Sequence, residues 1–137
     1  MSQSPESIDQ SDPQSRDDQV RNLITALAGF AEPWQPRRVT SVNDYDVKVA
    51  KFNGEFVWHH HPSTDELFLV LDGEITIQLR DGDVTLGPHE VYVVPRGVEH
   101  CPRATSEASV LLFEMQGTIN TGSAAPSALT AALQELP

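Results

Sequence analysis

The chain has a single cysteine, Cys101, so no disulfide can form within it and nothing in its cysteine usage calls for an oxidising compartment. Basic residues are scarce. Nine Lys plus Arg stand against twenty Asp plus Glu, the formal net charge is −11, and Lys48 and Lys51 are the only lysines. Such a balance lacks the electrostatic footprint of a nucleic-acid binder or of a protein that docks on anionic membranes. No stretch approaches the roughly 20 consecutive apolar residues of a membrane helix. The opening residues MSQSPESIDQ combine neither a basic start nor an apolar run, so no secretory signal is expected and the expected location is cytoplasmic. A glycine-rich phosphate loop, a Gly-x-Ser-x-Gly elbow and a Cys-x-x-Cys pair are also missing, which leaves nucleophilic catalysis without a candidate.

With 137 residues, one domain around one core is the expectation. Residues 1–18 are Ser, Gln, Asp and Pro with almost nothing to bury, and read as a disordered acidic tail. Residues 19–33 read as a short helix and linker. Val20, Leu23, Ile24 and Leu27 fall at helical spacing, with Asp17 and Asp18 ahead and Gly29 behind, which predicts about three turns. Residues 118–137 read as a C-terminal tail, with a weak helix over Ser127–Leu136.

Between these tails, residues 34–117 change texture. Arg38–Val42, Tyr45–Asn53, Glu55–His61, Glu66–Leu71, Glu74–Arg80, Asp83–Leu86, Glu90–Val94, Glu99–Ala104 and Ser109–Met115 read as short strands separated by turn residues. Asp72-Gly73 and Asp81-Gly82 are hairpin signals. Ile75, Ile77 and Leu79 alternate with Thr76 and Gln78. About nine strands with close turns and no helix between them predict an all-β sandwich or barrel with a short N-terminal helix.

The chemistry concentrates in GEFVWHHHPSTDELFLVLDG, Gly54 to Gly73. His59 and His61 share a face of an extended chain, Pro62 allows a turn, and Glu66 can return beside them. Two imidazoles and a carboxylate at one point suit a first-row transition metal. Downstream, Pro95 and Gly97 signal a turn and His100 opens the next strand. All five histidines lie inside the β region, at 59, 60, 61, 89 and 100.

Gly54…His59-x-His61-x4-Glu66-x6-Gly73, followed by Pro95-x-Gly97-x2-His100, resembles the two motifs of the cupin superfamily, and the chain is similar to the short single-domain type-2 cupins that often carry a mannose-6-phosphate-isomerase-like label. The resemblance covers about residues 54–104. It implies a double-stranded β-helix, the jelly-roll cupin barrel, with one divalent metal (Mn, Fe, Co, Ni, Cu or Zn) held by His59, His61, Glu66 and His100. This sequence departs from the pattern in three places. Four residues rather than five separate Gly54 from His59. His89 stands at a turn glycine, although histidine tolerates positive φ better than most residues. Ala104 stands where an Asn is frequent.

Phase assigns the other residues. Val57, Phe68 and Val70 line the interior pocket beside the ligands. His60 points the opposite way, His89 is a surface turn residue, Asp65 is a turn charge, Glu99 is solvated, and Cys101 is a small buried hydrophobe. Leu67, Leu69 and Leu71 make β-strand 66–71 apolar on both faces, so a second cover is expected from the N-terminal segment or another subunit. Trp34 and Trp58 are candidates for that same surface, and a homodimer is the expectation. Two functional readings stay open: metal-dependent isomerase, lyase or oxygenase chemistry on a small polar metabolite, and non-catalytic metal-assisted binding or sensing of a small molecule.

Overall fold

The computed structural model describes residues 20–136, and the expected disordered tail over 1–18 lies outside them. One short helix, α1 (Leu23–Ala28), precedes eight strands: β1 (Arg37–Val42), β2 (Tyr45–Glu55), β3 (Glu66–Asp72), β4 (Ile75–Leu79), β5 (Val84–Leu86), β6 (Val91–Val94), β7 (His100–Met115) and β8 (Gln134–Glu135). The architecture is the expected all-β jelly roll.

The helix is shorter than its apolar spacing predicts, and the reason is local. Asn22 caps it, its side chain accepting from Thr25 N at 2.9 Å, so helical backbone begins only after that residue. Val20 and Ile24 are therefore solvent-exposed, while Leu23, Ala26 and Leu27 pack against Val39, Val49 and Leu71. This patch is the expected N-terminal cover for Leu71.

Strand β7 organises the barrel. Its first residues pair with β4 (Leu79↔His100 to Thr76↔Arg103), its later ones with β3 (Val70↔Val110 to Leu67↔Phe113), and its other edge follows β2 from Glu55↔Arg103 to Tyr45↔Met115. The two strands expected over 99–104 and 109–115 are thus one continuous strand. The strand expected over 55–61 differs too: β2 stops at Glu55, and beyond it only His59 makes a β-bridge, to His100. Strand β3 also pairs with β6, placing Glu66 opposite Val94.

Period-2 alternation then fills the interior. Phe68 and Val70 of β3, Ile75 and Ile77 of β4, Ala50 and Phe52 of β2, and Val110 and Leu112 of β7 are all buried in one cluster. Each large side chain so buried contributes about 1.5–3 kcal/mol. Gly73, at φ +84°, sits where an added Cβ would come within 3.0 Å of Ala108, so the Asp72-Gly73 turn can press against β7 only with glycine there.

Trp34 does not join the outer surface. Trp34 is buried, stacked on Phe52 at 4.4 Å and Phe56 at 4.6 Å, with Nε1 donating to Asn53 O. Trp58 lies under the Arg80 guanidinium. The expected helix over Ser127–Leu136 is also absent. Asn120 ties this segment down instead: its Nδ2 donates to Trp34 O and Leu129 O, and its Oδ1 accepts from Ala131 N. Those tertiary hydrogen bonds prevail over the helical spacing of Leu129, Ala132, Leu133 and Leu136, and Gln134–Glu135 then runs parallel to β1.

Candidate metal centre

Four buried side chains arrive at one point from three places in the chain. His59 and His61 flank the loop after β2, Glu66 opens β3, and His100 opens β7. One donor atom from each lies within 4.8 Å of every other. The bridge His59↔His100 sets the first contact, with His59 N donating to His100 O at 3.0 Å and His100 N to His59 O at 2.9 Å. The loop between is pinned as well. Gly97 N donates to His61 O, and Asp65 Oδ1 accepts from both Arg96 N and Arg96 Nε. The Pro95–Gly97 turn and the loop ahead of Glu66 are thereby one unit.

The tautomers follow from backbone carbonyls, which can only accept. His59 Nδ1 lies 2.9 Å from Val57 O, and His100 Nδ1 lies 2.9 Å from Val98 O. Each Nδ1 therefore carries a proton, which leaves Nε2 as the nitrogen each ring can offer to a metal. His100 Nε2 and His61 Nε2 each stand 3.3 Å from Glu66 Oε1. His61 Nε2 is buried and makes no hydrogen bond. Lone pairs of imidazole facing a carboxylate repel unless a cation or a proton stands between them. Donors bound at about 2.0–2.2 Å to one ion sit about 3 Å apart, which these contacts match. The residues present fit a divalent metal.

Ionisation agrees with that chemistry. Burial, reinforced by neighbouring His100, pushes His59 down to about 4, so its ring stays neutral and available as a ligand. For Glu66, burial acts to raise the carboxyl, but positive charge on the facing His100 and His61 rings outweighs it and holds the group well below the usual carboxylate range, a part that a bound cation would take over when those rings are neutral.

A cavity of about 30 Å³ borders His59 and Glu66. That is room for about two waters, at roughly 10–15 Å³ each. Its walls are mostly hydrocarbon: Trp34, Phe52, Phe56, Phe68 and Leu112. Of the residues expected to line a pocket, Phe68 borders this space, Val70 lies fully buried further along the same face, and Val57 packs half-buried against the core. Glu114 also borders the cavity, and sequence reasoning missed it. Its Oε2 accepts from Lys48 Nζ at 2.9 Å, and both side chains are 2 % exposed. Burial and the Glu66 charge push Glu114 up to about 8, against the pull of Lys48. The signal was available: Lys48 is in phase with Ala50 and Phe52, and Glu114 with Val110 and Leu112.

The remaining candidates fall outside the centre. His60 is fastened to the C-terminal segment, its N donating to Ser123 Oγ, its O accepting from Ser123 N, and its Nδ1 2.9 Å from Ser123 Oγ. His89 occupies a turn with φ +71°, its N donating to Val70 O, as tolerance of positive φ allows. Glu99 is paired with Arg80 on the surface. Cys101 is fully buried, and burial, with Glu55 nearby, pushes its thiol up to about 11, away from a reactive thiolate.

The sequence model of the cupin domain matches residues 32–115. Uncharacterized protein YdbB of Bacillus subtilis (strain 168) is 36% identical over 86 residues, 62% of this chain and 76% of that protein. A solved cupin-2 domain containing protein from Shewanella frigidimarina NCIMB 400 is 40% identical with a TM-score of 0.70, covering 76% of this chain and 99% of that chain. Protein NMB1881 from Neisseria meningitidis is 29% identical with a TM-score of 0.66, covering 72% of this chain and 100% of that one.

Proposed function

This chain belongs to the cupin family, and we propose that it holds one divalent transition metal on His59, His61, Glu66 and His100 and uses it to bind or transform a small polar metabolite. The observation that carries the reading is His61 Nε2, a buried nitrogen with no hydrogen-bond partner, 3.3 Å from a buried carboxylate. An ion there would satisfy it and remove the repulsion around Glu66. Mixed nitrogen and oxygen donors admit Mn, Fe, Co, Ni, Cu or Zn. A metal so held supplies Lewis-acid or redox chemistry to a ligand on an open position, the basis of isomerase, lyase or oxygenase reactions. The chain's own part is to keep His59 neutral, to orient the rings through the Val57 and Val98 carbonyls, and to exclude water with its aromatic wall.

A second reading, non-catalytic binding or sensing, has the cavity in its favour. Space for about two waters suits a very small ligand better than a substrate that must be reshaped. Metal analysis after mild purification, with His61→Ala as control, tests the centre. A turnover screen with Fe(II), Mn(II) and Ni(II) then separates the two readings. A chain that purifies without metal and takes up none refutes both.

The proposed assembly is a homodimer through the outer face of β3 and β6. Helix α1 covers Leu71, but Leu67 and Leu69 are only half-buried, and their cross-strand partners Val93 and Val91 are 44% and 56% exposed. Among the described residues no helix is long and apolar enough to cross a membrane. The proposed location is the cytoplasm, where a lone buried thiol is at home.

A further inference from the structure

The cavity beside the metal centre has very few polar groups, and their partners can be followed one by one. His59 and Glu66 belong to the ion. Asn120 spends its side chain on Trp34 O, Leu129 O and Ala131 N. That leaves Glu114. Its Oε2 is fixed on Lys48, which does not border the cavity, and its Oε1 is buried with no hydrogen-bond partner. A buried carboxylate oxygen left unmatched bears its full desolvation penalty, so it is the atom most in need of a ligand.

We infer that Glu114 orients the ligand of the metal centre: a small molecule with one oxygen on the ion and an N–H or O–H group on its far side is held at that far side by Glu114 Oε1. The inference rests on the metal reading above and adds the ligand class to it. The space excludes large rings, and the aromatic walls offer no other hydrogen bond, so the ligand is a compact molecule with an acceptor at one end and a donor at the other. Lys48 is the positioning residue. It holds Oε2 and so leaves Oε1 as the oxygen without a partner, on a side chain that borders the cavity. Glu114 is not an extra metal ligand in this account, since it lies outside the group of four donors.

Formamide is a fitting probe, with a carbonyl oxygen for the metal and N–H groups for Glu114. The full chain is loaded with Co(II), and formamide is titrated against the visible absorption of the metal. The variants are Lys48→Met with Glu114→Leu, which removes the buried pair together so that neither charge is stranded, and Glu114→Gln, whose carbonyl serves Lys48 and whose amide then faces the cavity. Expected is a formamide response in the Co(II)-loaded wild-type chain, where the ion offsets the Glu66 charge that disfavours ionised Glu114, and the response weakens about tenfold or more in both variants with Co(II) affinity unchanged within about twofold. If the double variant does not fold, Glu114→Gln decides. The inference is overturned if formamide binds the variants as tightly as the wild type, if the Co(II)-loaded wild type gives no response, or if Co(II) affinity falls in parallel. A wild-type chain that takes up no Co(II) sinks the metal reading itself, and that outcome is distinct from the others.

Discussion

His59 and His100 are locked together: each backbone N–H donates to the other's carbonyl, and their rings, tilted by 49°, have centroids 4.3 Å apart. Burial takes the His59 ring out of solvent, and the second imidazole beside it adds to the cost of a proton there, so His59 stays neutral down to about pH 4.

That depression makes stability depend on pH. The unfolded ring titrates near 6.5 and the folded one near 4, so the contribution is fully present above 6.5 and is lost as pH falls toward 4. The difference amounts to about 3 kcal/mol at roughly 1.4 kcal/mol per pH unit. Urea unfolding of the metal-free chain should therefore show wild type losing ground to His59→Gln as pH drops through this window. Glu114 is present in both proteins, so its opposite trend cancels. Parallel stability curves from pH 7 to 4 would contradict the assignment.

Removing a metal donor should cost more than removing an outer partner. His61→Ala is expected to lower metal affinity by more than the roughly 10–100-fold typical of outer partners. The fold should survive, because His61 lies in a loop outside the named strands. Competition with a chelator measures the affinity, and circular dichroism checks the fold. Wild-type affinity in the variant would remove His61 from the site.

Gly122 presses the C-terminal segment onto the centre. A Cβ there would meet His60 O at 2.4 Å and the His61 ring at 3.0 Å, and φ is +50°. Gly122→Ala should therefore destabilise the chain by about 1–3 kcal/mol through overpacking and weaken metal binding by displacing His61. Thermal melting with and without metal reads both effects. A variant as stable and as metal-avid as wild type would show that this segment yields without disturbing the ligand.

Association should run through β6. Strand β6 pairs only with β3 among the named strands, and it shows Val91 and Val93 to solvent. Light scattering at micromolar concentration should give a dimer for wild type and a monomer for Val91→Glu with Val93→Glu. A wild-type chain that is monomeric under these conditions would end the dimer proposal.

Much of the barrel could be read from local pattern. The Asp81-Gly82 hairpin between β4 and β5, the alternation of Ile75 and Ile77 with Thr76 and Gln78, and the inward phase of Glu66, Phe68 and Val70 are all present in the structure, whereas Asp72-Gly73 turns the chain between two strands that do not pair with each other. The misreadings arose where non-local contacts prevailed. Residues 100–115 form one strand because β2 runs beside them almost from end to end, whatever their internal breaks suggest. Residues 127–136 lie along β1 and Asn120 rather than coiling. Trp34 went to the core because Phe52 and Phe56 wait there to stack with it.

By itself the sequence determined which side chains share a face and which residue types are on hand: imidazoles at 59, 61 and 100, a carboxylate at 66, one unpaired thiol. These follow from a strand's period of two, a property of the backbone at each position. Only the tertiary structure decided what those faces meet. The bridge between His59 and His100, the pairing of Lys48 with Glu114 and the strap over His61 join residues from 41 to 66 positions apart, and their placement depends on register and burial, which no local window contains.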